Sequence, residues 1–348
     1  MSVNFSSDNA APASDAVMAA VLAANQGLVP SYGADEWSAR LQTRMCELFA
    51  KDVAVFPVTT GTAANALALS QIAPPHGAVY CYEAAHIVTD ECGAPEFFGG
   101  GTKLIGLPAA DGKIRPAQLQ EAFAFADDMG VHHVKPAAIS LTQSTEWGTV
   151  YSLDEVAQIS ALAKQRGLPV HMDGARFANA LVSLDCTPAA ATWQCGVDVL
   201  SLGATKNGAL CAEAVVFFDP ARAADFDRRR KRGGHLWSKL RFLSAQLLAY
   251  LEQDLWLDNA RHANAMARRL GDGLQAVPGA NLLHPVDANE VFIELSEPQV
   301  AALERDFKFY RWPLHRSARG VAIRLVTSYA TPASDVAALL AAAARLKA

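Results

Sequence analysis

Between residues 53 and 218, short apolar runs alternate with helix-like segments, and this alternation constrains the fold more than any other feature. The runs cover residues 53–58, 78–81, 103–108, 137–141, 168–170 and 197–200. Each is too short for a buried helix and is bounded by glycine, proline or acidic residues, so each reads as a buried strand. Strands separated by helices cannot be joined as hairpins. They form a parallel sheet covered on both faces, an α/β arrangement.

Such sheets bind ligands outside the carboxyl ends of their strands. Two strand ends here carry chemistry. One is His171-Met172-Asp173-Gly174-Ala175-Arg176, and the other is the lysine of Ser201-Leu202-Gly203-Ala204-Thr205-Lys206-Asn207-Gly208. Neighbouring strands would deliver Asp173 and Lys206 to one edge of the sheet. An amine and a carboxylate there suit pyridoxal phosphate. The amine bonds to the aldehyde and the acid keeps the pyridine nitrogen protonated. Gly203, Ala204 and Gly208 leave room for a bulky cofactor near the backbone.

A chain of 348 residues allows one large and one small domain, and 51% apolar content supports a sizeable core. A net charge of −5 implies no general affinity for nucleic acid. No apolar run reaches the roughly 20 residues that span a bilayer. The first residues lack a basic region and an apolar core, so no signal peptide is expected. The six scattered cysteines have no paired metal spacing and read as reduced thiols of a cytoplasmic protein. No metal site is expected.

In chain order, Asp15 is a candidate helix cap, and residues 29–35 form a loop by their proline and glycine. Residues 36–51 return to helical spacing, with Trp37, Leu41, Met45 and Leu48 on one core-facing stripe. The turn Thr60-Gly61-Thr62-Ala63-Ala64-Asn65 follows a strand and opens a helix, an arrangement that offers N–H groups to a phosphate. It lacks the lysine of a nucleotide-binding loop. His86 follows the next strand, where an imidazole can stack on an aromatic ring. His132 and His133 precede another strand and face opposite ways on extended backbone. Ser152 with Glu155 reads as a capping box. The basic run 228–232 reads as a solvated helix end, and residues 237–263 as one long helix that continues until Gly271 and Gly273 break it. Residues 291–295 and 322–326 are strands of a small α+β domain. Arg324 lies between apolar neighbours in the second, and a buried arginine needs an anionic partner such as a substrate carboxylate.

Together these stretches resemble the low-specificity L-threonine aldolases, members of the aspartate-aminotransferase-like (fold type I) pyridoxal-phosphate enzymes. The resemblance rests on Ser7-Asp8-Asn9, Tyr32-Gly33-Ala34-Asp35, the Thr60 to Asn65 turn, Ala84-Ala85-His86, Asp173-Gly174-Ala175-Arg176, Thr205-Lys206 and Arg324-Leu325-Val326-Thr327. It implies an α/β large domain over residues 15–245, a small α+β domain over 246–348 and an N-terminal arm over 1–14 that reaches the site. It implies Lys206 as the cofactor-bonded lysine and Asp173 as the partner of the pyridine nitrogen. Thr60, Gly61 and Thr62 become the phosphate cup, with His86 stacked on the ring. Ser7, Arg176 and Arg324 become the carboxylate clamp, Arg176 also lying at the cofactor. His133 falls near the substrate side chain, sharing the catalytic role with His86 and Lys206, and Tyr32 approaches the site from a neighbouring subunit. A homo-oligomer, a dimer or a dimer of dimers, is implied.

Two departures mark this chain. The family's Glu-Asn-Thr-His is Gln143-Ser144-Thr145-Glu146 here, and its Ser-Lys is Thr205-Lys206. The first lies near the substrate side chain. The implied activity is cleavage of L-threonine, L-allo-threonine and related β-hydroxy amino acids to glycine and an aldehyde. Other readings are a preference for phenylserine, a transamination or racemisation on the same fold, and a non-catalytic binding protein.

Overall fold

The run at residues 53–58 forms strand β1 (Ala54–Val58), and six more strands complete one sheet. They are β2 (Gly77–Tyr82), β3 (Lys103–Leu107), β4 (Lys135–Thr142), β5 (Val170–Gly174), β6 (Val199–Gly203) and β7 (Glu213–Phe217). The computed structural model describes residues 3–313 and 320–346. The strand order is β1-β7-β6-β5-β4-β2-β3. Only β7 is antiparallel to its neighbours; the other pairs are parallel. The sheet is therefore mostly parallel, as the alternating pattern requires. β5 and β6 are adjacent, and Asp173 pairs in register with Ser201. His171 ties three strands together, bonding to Ser140 Oγ at 2.8 Å and Ser201 Oγ at 2.9 Å. Burial lowers its pKa to about 4, so it is a neutral buried linker.

Helices cover the sheet. Helix α1 (Asp15–Ala24) is capped by Ser14, whose Oγ accepts from Val17 N, so Asp15 is its first residue rather than its cap. Helix α2 (Glu36–Phe49) buries Leu41 and Met45 as its spacing predicts, together with Phe49, while Trp37 and Leu48 are partly buried against the same core. Helix α3 (Gly61–Ile72) begins at the Thr60 turn. Helix α4 (Leu153–Gln165) has the expected capping box of Ser152 and Glu155.

The expected long helix is two. Helix α5 (Arg241–Leu251) ends, and α6 (Leu255–Gln275) starts beyond Gln253 and Asp254, whose φ angles are 51° and 57°. Two left-handed residues cannot continue a helix. The break lets Trp256 and Ala260 enter the large core while Ala267, Leu270 and Leu274 pack in a second one. Gly271 and Gly273 do not end α6. A Cβ on Gly271 would lie 2.7 Å from Val286, and one on Gly273 would collide with Leu340. These glycines permit close packing.

The second core lies against a four-stranded antiparallel sheet: β8 (Asn281–Leu282), β9 (Glu290–Leu295), β10 (Tyr310–Arg311) and β11 (Val321–Val326), in the order β10-β11-β9-β8. The N-terminal arm starts here. Val3–Asn4 pairs with Phe307–Lys308, and Val326 N donates to Phe5 O at 2.8 Å. Anchored this way, the arm carries residues 7–9 to the edge of the large sheet.

Candidate active site

The carboxyl ends of β4, β5 and β6, the start of α3 and the residues 7–9 segment surround one cleft. It has two lobes that share Asn9, His86, Asp173, Ala175 and Lys206.

In the first lobe, Thr60 caps α3 by accepting from Ala63 N at 3.1 Å. The cap and the helix leave the N–H groups of Gly61 and Thr62 for a ligand, and a Cβ built on Gly61 meets nothing within 4 Å. Opposite stands Asp173, 4% exposed, which accepts from Asn65 Nδ2 at 2.8 Å and Ala175 N at 3.0 Å. Lys206 lies in the short turn after β6. Asn65 Nδ2 also donates to Glu91 at 2.8 Å, and Glu91 meets His86 Nδ1 at 3.0 Å. That bond raises the His86 pKa against its partial burial, and burial raises that of Glu91. Buried Glu213 closes the lobe. Burial pushes it up to about 7, although the hydrogen bond from Ala204 N at 2.8 Å and the Lys206 charge oppose the shift.

The residues fit pyridoxal phosphate. Helix N-terminal donors, an oriented carboxylate and a lysine line the same lobe. Two buried wall atoms, Asn65 Oδ1 and Glu91 Oε2, have no hydrogen-bond partner among the described residues.

The second lobe is lined by Ser7, Arg176, Glu146, Tyr310, Trp312 and Arg324, among others. Arg176 is held at both ends. Its Nε and Nη2 donate to Asp8 at 2.7 and 3.0 Å, and its Nη1 lies 3.2 Å from Glu290. Burial works to raise the Asp8 pKa, but the Arg176 and Lys206 charges outweigh it and hold Asp8 below its ordinary value. Arg324 is freer. Its Nη2 reaches Ser6 O at 3.4 Å, Glu290 is 3.9 Å away, and its buried Nε has no hydrogen-bond partner among the described residues. Its guanidinium lies over Trp312 and Tyr310, 4.8 and 5.3 Å from the ring centroids. Glu146 Oε1 accepts from His86 N at 2.9 Å and Thr142 Oγ1 at 2.8 Å.

Nine of the expected residues therefore line this cleft: Ser7, Thr60, Gly61, Thr62, His86, Asp173, Arg176, Lys206 and Arg324. Arg176 lines only the second lobe. Ser7 Oγ is already occupied in part, accepting from Asn9 N at 3.1 Å. Two residues are elsewhere. His133 sits before the amino end of β4, edge-on to Phe125 at 5.3 Å, and that is the opposite edge of the sheet. Within its own chain His133 therefore does not line the cleft, because a residue preceding a parallel strand lies at the end away from its carboxyl terminus. Tyr32 is exposed, with Lys231 Nζ 4.6 Å from its ring centroid, and lines a separate cleft. Sequence reasoning missed the supporting carboxylates Asp8, Glu91, Glu213 and Glu290. Asp8 lies in a stretch already singled out; nothing local distinguishes the other three from surface acids.

A family model described as beta-eliminating lyase matches residues 4–298. A low-specificity L-threonine aldolase of Pseudomonas aeruginosa is 47% identical over 307 residues, covering 88% of this chain and 88% of its own. One from a Pseudomonas species is 46% identical over 310 residues, 89% of each. Among solved structures, Leishmania major threonine aldolase superimposes with a TM-score of 0.92 at 30% identity, covering 99% of both chains. A putative L-allo-threonine aldolase of Listeria monocytogenes, 14% identical over 99% of this chain and 96% of its own, shares the fold with a TM-score of 0.75.

Proposed function

This chain belongs to the beta-eliminating lyase family, and from that premise we propose that it is a pyridoxal-phosphate-dependent L-threonine aldolase, an aldehyde-lyase that releases glycine from β-hydroxy amino acids. The observation that carries the reading is the meeting of Asp173, Lys206 and Arg324 at one two-lobed cleft. The names of the Pseudomonas and Leishmania relatives support it.

When bound, pyridoxal phosphate supplies an aldehyde for covalent attachment and a ring that accepts an electron pair. Lys206 would bond to that aldehyde. Asp173, oriented by Asn65 and Ala175 N, would take the pyridine N–H. Gly61 and Thr62 would donate backbone N–H groups to the phosphate at the positive end of α3. His86, fixed by Glu91, would cover one ring face. Arg324 binds the substrate carboxylate through its unpartnered Nε edge, which sets how the Cα–Cβ bond is presented. Arg176, already paired with Asp8 and Glu290, holds the arm and β9 in place around it. Trp312 and Tyr310 wall the substrate lobe and limit water around Arg324. This aromatic wall supports a second reading, a preference for phenylserine over threonine.

We further propose a cytoplasmic homo-oligomer. The cysteines are free thiols and, among the described residues, no helix is long and apolar enough to cross a membrane. A panel of threonine, allo-threonine and phenylserine, scored for glycine and aldehyde, tests the activity. Borohydride reduction of the cofactor-loaded protein should label Lys206 on peptide mapping. A label on another lysine, or no glycine from any of the three, rejects the reading.

A further inference from the structure

We propose that Glu146 takes the proton of the substrate's β-hydroxyl group, through its Oε2 atom. The proposal rests on the aldolase reading and names the base for it.

Cleavage needs a group that accepts this proton, and the two expected histidines are poorly placed. Within its own chain His133 is at the far edge of the sheet. His86 has its Nδ1 bound to Glu91 and its ring reserved for the cofactor face. The acids offer one suitable atom. Asp173 is held by Asn65 and Ala175 N in the cofactor lobe, and Glu290 lies between Arg176 and Arg324. Asp90 is exposed and accepts from Thr89 at 2.7 Å. Glu146 lines the substrate lobe but not the cofactor lobe. Two hydrogen bonds to Oε1, from His86 N and Thr142, fix the carboxylate's orientation. Oε2 is buried and has no hydrogen-bond partner among the described residues. An unpaired buried carboxylate oxygen is costly unless it binds a proton or a donor, and a substrate hydroxyl is a donor.

The electrostatics agree with the geometry. Burial raises the Glu146 pKa to about 7, although the His86 N–H and Thr142 hydrogen bonds oppose the shift, and the Asp173 charge adds to it. Cys81, Tyr82 and Tyr151 also face this carboxylate. The cations lining the lobe are Arg176, Arg311 and Arg324, with Lys206 shared between lobes. A base with a pKa near the working pH is well matched to proton transfer.

In the step, the hydroxyl O–H bond breaks and its proton moves to Oε2. The electron pair left on oxygen becomes the second bond of the aldehyde carbonyl. The Cα–Cβ bond breaks with its pair retained by the amino-acid fragment, and one proton returned to Cα completes glycine.

Glu146→Gln keeps an oxygen for the His86 and Thr142 hydrogen bonds but removes the base. With cofactor-loaded protein, kcat for threonine should fall by about 10²-fold or more, with KM nearly unchanged. Exchange of the glycine α-proton with D2O, followed by NMR, needs the cofactor and Arg324 but no hydroxyl base, and it should persist. Cleavage retained at the wild-type rate, or exchange and cleavage lost in parallel, overturns the proposal. A second measurement reads protonation rather than turnover. The base acts as carboxylate, so wild-type kcat should fall as pH drops below about 7, and in cofactor-free protein a protonated-carboxyl infrared band of that midpoint should lose one carboxyl in Glu146→Gln, the remainder being Glu213. An infrared band identical in wild type and Glu146→Gln, or a wild-type kcat without the acid limb, overturns it equally. A wild-type protein that neither cleaves threonine nor exchanges glycine rejects the aldolase reading itself.

Discussion

Arg324 and Arg176 illustrate how two arginines of one cleft divide their work. A guanidinium has five donors in a fixed fork, and Arg176 spends its fork on Asp8 and Glu290. Arg324 keeps Nε without a hydrogen-bond partner, stacked above Trp312 and Tyr310. It is therefore the residue with capacity left for an incoming carboxylate. Lysine preserves the charge but neither the fork nor the planar stack. Charge-assisted hydrogen bonds contribute about 1.5–3 kcal/mol each, so Arg324→Lys should raise KM for threonine by roughly tenfold to a hundredfold. The cofactor absorption spectrum should stay as in wild type, since Arg324 lies outside the cofactor lobe. A KM equal to wild type would take Arg324 out of substrate recognition.

The strand ends are the elements on which the site depends, and their spacing rests on Gly203. A Cβ there would lie 2.6 Å from Ala175 O and 2.7 Å from Ala175 Cα. These are backbone atoms, which cannot rotate aside. Gly203→Ala should push the turn after β5 from the end of β6, at about 1–3 kcal/mol of stability, and weaken cofactor retention by separating Asp173 from Lys206. Denaturant unfolding and cofactor titration check the two effects; wild-type values in both would show that the turn has slack. The glycine cluster near Lys206 was legible as a close approach, but its partner at Gly203 is the neighbouring turn. This pattern holds more widely. Strand ends at Asp173 and Lys206 could be placed because apolar runs and turn residues are local signals. The break at Gln253 and Asp254 could not, because neither residue type demands a positive φ. The packing of Gly271 and Gly273 depends on Val286 and Leu340, which no local pattern links to them. The place of His133 is of the same kind: nothing local to His132 and His133 says at which end of the sheet they lie.

At the scale of the whole molecule, one surface calls for a partner. On and just after α1, Met18, Leu22, Leu28 and Val29 are exposed apolar side chains, with Leu22 at 67% and Leu28 at 104% exposure. Tyr32 follows with φ 58°, exposed beneath Lys231. Isolated apolar residues on a surface need no explanation, but a run of this kind marks a contact surface. It leads into Tyr32, the residue that the family resemblance brings to a neighbouring subunit's site. We therefore predict a homo-oligomer of at least two chains, with this segment at the interface and Tyr32 directed to the partner's site. Light scattering should give a mass of two or four chains. The double substitution Leu22→Asp and Leu28→Asp places two charges on the contact and should shift that mass to the monomer, since burying an unpaired charge costs several kcal/mol. Threonine cleavage should fall with it, while far-UV circular dichroism remains that of the folded chain. A wild-type monomer with full activity would show that each chain carries a complete site and that Tyr32 serves none.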